Sequence, residues 1–522
     1  MTISMIADIM GMNLNSCVTG GQSAVALGDR KRLLAGRMSD KVSSALGCYF
    51  YVMSGFSFFM EGSMNSEIFE KLPPTQLFFR CAVPSAITMV FGALYQIVDG
   101  VFVGRYIGQD ALAAVNIIMP VILAVFAFSN MIATGASVNL SILLGEKKRE
   151  EASRVFTFSL KMIFLLSCVL GILGGIFAEP FIKLISPGAS EYAIRYGVDY
   201  LRVYAGFSPL LLFYFATDNY LRVCGKETLS MGINIATQAL NIVLDFILIA
   251  VLGQGVWAAA FASCAAMALG SLTTLLLFKN KRMDLYYTGG GISSAKFLRI
   301  LANGSSEFFS NISSSIMSVI LNLFLLKFGG TTAVAAFSVV MYVDSIVGMI
   351  NFGVCDALQP AISYCYGAGL MERVRAIFRR VLAAVTITSL IAFIFMWFAG
   401  PSVAPLFIKQ EDAGLLNVSI TAIKLFSFSY LTGWADMCFS SFFTALDRPA
   451  RSLLVSFFGT LVFPVAFLFI LSSIWQLNGI WLMPAVAGAA SGGLTIVLAS
   501  TMKTEKSVAR HPQKGHRNAD AP

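Results

Sequence analysis

Four oxygen-bearing side chains stand out against the apolar sequence around them: Asp99 in YQIVDGVF, Asn241 and Asp245 in NIVLD, and Ser263 in FASCAA. An ionisable group inside a hydrocarbon layer is costly, about 3 kcal/mol at the centre of a spanning helix, so each needs a reason. Two carboxylates, an amide and a hydroxyl offer oxygens suited to a monovalent cation or to a proton shared between acids. The alternative is an interhelical hydrogen-bond network that only holds the helices together. The second half of the chain adds Glu307, Asp344, Asp356 and Asp436. Asp218 and Asn219 lie beside Arg222, where a cap or a gate contact explains them better than substrate binding does.

Other chemistries are excluded. The nine cysteines are scattered, mostly in apolar runs and with no C-x-x-C pair, and read as small hydrophobes. Both histidines, His511 and His516, lie in the polar C-terminal tail, so a His-based triad or an H-E-x-x-H zinc site within the apolar region is ruled out. No G-x-x-x-x-G-K-[ST] loop is present to bind nucleotide. No enzyme activity, metal or organic cofactor is expected. Any energy must come from a source other than nucleotide bound to this chain.

The elements that must position these residues follow from composition. Of 522 residues, 57% are apolar and 12% charged, and mean hydropathy is +0.76. A soluble surface needs about 25% charged residues, so this is an all-α membrane protein. Twelve spans are predicted, near 77–104, 111–144, 152–178, 192–222, 227–252, 256–279, 297–328, 332–366, 372–399, 413–446, 450–474 and 480–502. Lys and Arg crowd the loops after even-numbered spans, at Lys147, Lys148, Arg149, Arg222, Lys226, Lys279, Lys281, Arg282, Arg373 and Arg375 among others. By the positive-inside rule both termini face the cytoplasm, and the net charge of +9 needs no nucleic-acid partner. In that orientation Asp99 lies ~7 Å and Asp245 roughly 12 Å below the outer ends of their spans, at 1.5 Å per residue. Asn241 is one turn deeper than Asp245, and Ser263 stands at Asp245's depth on the next span.

An internal repeat organises the spans. Gly108, Ala111, Ala113, Ala114 and Met119 recur as Gly330, Ala333, Ala335, Ala336 and Met341, at a constant offset of 222. The same offset carries Ser141, Gly145, Glu150, Phe156 and Leu160 onto Ser363, Gly367, Glu372, Phe378 and Leu382. Six spans is an even number, so the repeat is parallel and predicts two six-helix lobes with a cavity between them. The lobes are expected at 70–279 and 296–502, joined by a cytoplasmic linker at 280–295 and followed by a polar tail at 503–522. Residues 1–63 stand outside the repeat. They are read as a poorly ordered extension, upstream of a start at Met64, or as one containing an interfacial helix.

The chain resembles a known family. The first span holds Pro84, Tyr95, Asp99 and Gly104, in the pattern P-x10-Y-x3-D-x4-G; the fourth ends in LRVCGKE; the fifth contains NIVLD. With the 6+6 repeat, these resemble bacterial multidrug and toxic compound extrusion (MATE) transporters over about residues 70–502. The resemblance implies an ion- or proton-coupling site of Tyr95, Asp99, Asn241, Asp245 and Ser263. Some MATE proteins add an acid in span seven and an aspartate in span ten. Asp436 fits the latter; Ser314 stands near the former, with Glu307 two turns earlier. Asp436 and Glu307 are therefore expected in the substrate cavity, where Asp436 either lines the cavity or pairs with Lys424.

The function expected is secondary antiport: amphipathic, cationic organic compounds exported against Na+ or H+ by alternating access, from a monomer in the bacterial inner membrane. Acids set among 44 phenylalanines and 23 methionines would attract lipophilic cations. A lipid-linked oligosaccharide flippase of the same superfamily is the alternative. It would need a cationic cavity for pyrophosphate, and these spans carry more acids than bases.

Overall fold

The computed structural model describes residues 65–185, 190–280, 283–402 and 413–509, together with Gly47. The chain forms two compact units, residues 1–51 and 52–522, and everything below lies in the second. The expected extension at 1–63 apart from Gly47, both histidines and most of the expected tail at 503–522 fall outside the described residues.

All regular structure among the described residues is helical. The principal helices are α1 (Pro74–Phe102), α2 (Gln109–Gly145), α3 (Arg149–Ile176), α4 (Glu191–Val223), α5 (Glu227–Asp245), α6 (Val256–Leu277), α7 (Ser294–Gly367), α8 (Met371–Phe398), α9 (Ala413–Ser427), α10 (Trp434–Ala445), α11 (Pro449–Phe457) and α12 (Phe463–Ala509). Local chemistry sets their starts. Pro74 occupies the first turn of α1, where its missing N–H costs nothing. Ser190 and Ser293 cap α4 and α7 through their hydroxyls, 3.1 and 3.3 Å from the amides of Ala193 and Lys296.

Nine stretches among the described residues are long and apolar enough to cross a membrane. Their surface says the same. On α1, Val83, Ile87, Phe91, Leu94, Ile97 and Val101 recur at helical spacing and are all exposed, which in water would be an aggregation face and in lipid is a solvated one. Two helices turn sharply within themselves: α7 at Gly330 (φ 61°) and α12 at Gln476 (φ 49°). α4 spans 33 residues and is not one of the nine stretches; Glu191, Arg195, Asp199, Arg202, Asp218 and Arg222 lower its hydropathy.

α2 and α7 touch backbone to backbone at two places. A Cβ on Gly135 would run into the carbonyl of Ile300, and one on Gly304 into that of Met131. Ten residues on, a Cβ on Gly145 would meet the carbonyl of Tyr364, and one on Gly367 that of Ile142. Without a hydrophobic drive between helices in lipid, such close approach supplies the packing energy.

Residues 65–72 cross the end of the bundle where the basic loops gather. Ile68 and Phe69 are buried. The Ser66 amide donates to Asp284 Oδ2 at 2.6 Å, while Arg373 Nε donates to the Phe69 carbonyl at 2.6 Å and also reaches that of Leu72. Lys147 Nζ donates to Glu70 Oε2 and to the Tyr364 hydroxyl, both at 2.9 Å. The segment is thus tied to chain on both sides of 280–295. These contacts hold the Lys147 ammonium above the usual lysine range, chiefly through Tyr364 and Glu70, and hold the Glu70 carboxyl below the usual glutamate range, chiefly through Lys147.

Candidate functional site

Asp99 stands in the last turn of α1 and Asp245 is the last residue of α5, and each helix then passes into a π-helical segment, Val103–Ile107 and Phe246–Val251. The wider turn lets the two segments meet; the Phe102 and Phe246 rings lie 6.5 Å apart. π segments frequently mark functional sites, and no spacing in the sequence announces them.

This places the Asp99 and Asp245 carboxyls beside each other, with Asp99 7% and Asp245 0% exposed. Two carboxyls that meet in this way hold one proton between them, or a cation in its place. Asn241 lies one turn below Asp245 on the same face. With its amide oxygen toward Ser263 (3.1 Å from N, 2.9 Å from Oγ), its NH2 donates to Asp245 Oδ2 at 3.2 Å. Oδ1 of Asp99 and Oδ1 of Asp245 remain buried without a protein partner. Unpaired buried oxygens are uncommon and costly, about 1–3 kcal/mol each, so two aimed into one acid pair fit a bound cation or proton. Tyr95, Asn241 and Ser263 line the adjoining cavity of about 180 Å3, and Asn241 links it to Asp245.

Five residues named from the sequence thus lie in one neighbourhood, and Ser263 reaches it because Gly255 opens α6 and the helix runs back beside α5. A second cavity, of about 350 Å3, is lined by Glu307, Ser314, Asp356 and Asp436 with a ring of serines and threonines. Asn311 Nδ2 donates to Glu307 Oε1 at 3.3 Å, and Asp436 Oδ1 accepts from the Met437 amide at 2.7 Å. Among the described residues no ion pair joins Asp436 to Lys424. Asp344 lies apart from these acids, against Tyr430.

Sequence reasoning missed one contact. Arg222, 4% exposed at its side chain, bonds Asp218 Oδ2 at 2.7 Å and also Asp356, 134 residues away on α7. The neighbouring positions of Asp218 and Arg222 pointed to their pairing; nothing in the sequence pointed to Asp356.

No group of three or more His, Cys, Asp and Glu side chains suited to a metal ion occurs among the described residues. The seven described cysteines are free thiols.

The comparisons agree on the family. The MatE family model matches residues 84–247 and 308–499, well over half of the chain. Multidrug export protein MepA of Staphylococcus haemolyticus is 23% identical over 411 residues, covering 77% of this chain and 89% of its own. MepA of Staphylococcus aureus strain MW2 is 23% identical over 416 residues, covering 79% and 90%. Among solved structures, an outward-facing multidrug resistance MATE transporter of the MOP superfamily superposes with a TM-score of 0.77 at 24% identity, over 85% of this chain and 99% of that one. A MOP superfamily transporter from Pyrococcus furiosus, described as having a binding pocket of reverse polarity, gives 0.77 at 25% identity, over 85% and 98%. The chain belongs to the MatE family and is a multi-pass membrane transporter, not an enzyme.

Proposed function

We propose that the protein is a secondary active antiporter that exports amphipathic, cationic organic compounds in exchange for Na+ or H+ by alternating access. The observation that carries this reading is the buried Asp99–Asp245 pair, with two unpaired oxygens, set apart from a second, hydroxyl-rich acidic cavity around Glu307 and Asp436. One site takes the driving cation, with Tyr95, Asn241 and Ser263 as further contacts; the other takes the exported compound. The relatives named for multidrug export support the substrate class. An acid-lined cavity is the wrong polarity for a lipid pyrophosphate, which speaks against a flippase.

Twelve crossings in two six-helix lobes fit the architecture best. At 1.5 Å per residue a straight 74-residue helix would run about 110 Å, far beyond a hydrocarbon core of ~30 Å, so α7 crosses twice with its turn at Gly330. α12 behaves likewise at Gln476. α4 must cross as well. Arg149 and Ser66 both reach Asp284, so the four helices between Arg149 and Asp284 return the chain to the end it left. Backbone geometry supports the repeat. Left-handed residues recur at offset 222 as Gly108 and Gly330, Lys147 and Gly369, and Gly225 and Asp447, and at 223 as Gly253 and Gln476. The basic end is assigned to the cytoplasm, with both termini, the 280–295 linker and the 503–522 tail on that side of a bacterial inner membrane. The working unit is a monomer, and residues 1–63 are dispensable.

The test is efflux of a fluorescent lipophilic cation from proteoliposomes under separately imposed sodium and proton gradients. Uphill efflux under one gradient is expected. Equilibration without accumulation under either would mean a channel, and the antiport reading would fail.

A further inference from the structure

The buried polar residues of α5 do not stop at the acid pair. Below Asp245 and Asn241 the same face continues through Gln238, Thr237, Asn234, Ser230 and Glu227, spaced at helical intervals down to the first residue of the helix. Asn234, Thr237, Ser230 and Glu227 are all less than one-tenth exposed. A buried helix face in a membrane is ordinarily apolar or made of small residues, so a polar stripe running the whole length of α5 needs a use.

The neighbouring helices make room for it. Gln238 lies across Gly92 of α1, and Thr237 across Gly270 of α6, where any Cβ would press on its hydroxyl. Both face the cavity that Asn241 and Ser263 line, and Asp218 and Arg222 line its other end. Gln238 Oε1 and Thr237 Oγ1 are buried and unpaired, as Asp245 Oδ1 is above them and Glu227 Oε1 below. Four unpaired oxygens along one face form a ladder of acceptors for a cation, hydrated or as a proton on water.

At the foot of the ladder the charges do not balance. Arg222 faces Asp218 Oδ2 at 2.7 Å, Glu227 Oε2 at 3.9 Å and the Asp356 carboxylate. Asp218 is also held by Asn234 Nδ2 at 2.7 Å and by Ser230 Oγ. One guanidinium among three carboxyls in a buried site leaves attraction for a second positive charge. Glu227 is 96% buried, and its Oε1 has no hydrogen-bond partner.

We propose that Asp218, Glu227 and Asp356 around Arg222 form a second cation station, reached from the Asp99–Asp245 pair along the polar face of α5, from which the coupling cation leaves at the basic end. Asp356 belongs to α7 and the other station residues to α4 and α5, so the station exists only while the two halves of the chain are together. Separation of the halves at the basic end removes Asp356 from Arg222, breaks the station and releases the cation. This rests on the antiport reading, and it adds the path of release and the device that ties release to opening.

The test uses the full chain in proteoliposomes with two arms, 22Na+ exchange and a pH-dye readout of H+ exchange, and a parallel thermal-shift measurement of cation binding. The single variant Glu227→Gln is expected to lose the second station's part of the cation-dependent thermal shift and keep the part that the Asp99–Asp245 pair supplies; the double variant Thr237→Val, Gln238→Leu should keep a shift from that pair as well. Cation exchange should fall at least tenfold in whichever arm the wild type is active. Thr237→Ser, which keeps the hydroxyl, should exchange near the wild-type rate and so separates a lost acceptor from a damaged fold. Wild-type exchange in both the double variant and Glu227→Gln would overturn the proposal. Wild type without exchange in either arm would instead overturn the antiport reading beneath it.

Discussion

At the scale of single residues, the acid pair is where charge can be separated from packing. Asparagine is nearly isosteric with aspartate and still hydrogen-bonds, so Asp99→Asn and Asp245→Asn should leave the protein folded and each abolish uphill efflux. Asp436→Asn should instead alter which compounds are exported. A pair that served only as a helix-to-helix bond would behave oppositely, with lower thermal stability and retained transport. Asp99, Asn241, Asp245 and Ser263 were legible because polar atoms in apolar runs are conspicuous, and helical rise alone brings them to the same half of their spans. The Arg222–Asp356 bond was not, because it joins residues 134 apart through a tertiary contact that no local period encodes. The π segments after Asp99 and Asp245 were equally hidden, since no residue type or spacing in the sequence announces them.

At the scale of elements, the glycine crossings and the strap at residues 65–72 set how firmly the basic end is closed. Gly145 and Gly367 are partners in the sequence repeat and meet at one crossing, each against the other helix's backbone. Neither backbone can yield to a methyl group without moving its helix. Gly145→Ala or Gly367→Ala should therefore open the basic end, read as faster labelling of a cysteine placed at Ser441, which lines the second cavity; unchanged labelling in both would show the crossing to be irrelevant to closure. Phe69, fully buried in the strap, should cost on the order of 3 kcal/mol when cut to alanine. Glu70→Gln should cost less than ~1 kcal/mol, because the Lys147–Glu70 pair is half exposed and screened. Its pH dependence follows from the two shifts. The Glu70 carboxyl is depressed, so its contribution is present above the ordinary glutamate value of about 4.3 and fades below it. The Lys147 ammonium is raised, so its contribution is full below about 10.4 and fades only above that. Between pH 6 and 9 the thermal midpoint difference between wild type and Glu70→Gln should stay flat; a slope there would assign the strap's pH response to another group. The strap itself was not among the elements expected from the sequence, where the extension ends at residue 63 and the first span begins near residue 77.

At the scale of the whole molecule, the number of crossings decides which loops face the cytoplasm. Nine apolar stretches, each crossing once, would put the loop after α6 on the opposite side from the loop after α2, and the two ends of the bundle on opposite sides of the membrane. Twelve crossings put the loops after α2 and α6, the start of α8 and both ends on one side. Hydropathy alone favours the smaller number: six charged residues lower that of α4, and α7 and α12 each join two helical stretches at a sharp turn, at Gly330 and Gln476. The basic residues favour the twelve we propose: Lys148, Lys279 and Arg379 lie in segments that the positive-inside rule assigns to the cytoplasm, and the Asp284 contacts tie the loop after α6 to the start of α3. Reporter fusions at Lys148, Lys279 and Arg379 should therefore all report cytoplasm, a fusion at Lys409 should report the outside, and one after Ala509 the cytoplasm again. Lys279 is the decisive position, since only a crossing by α4 brings it inside. An external signal at Lys279 with an internal one at Lys148 would remove α4 from the membrane and with it the six-plus-six arrangement.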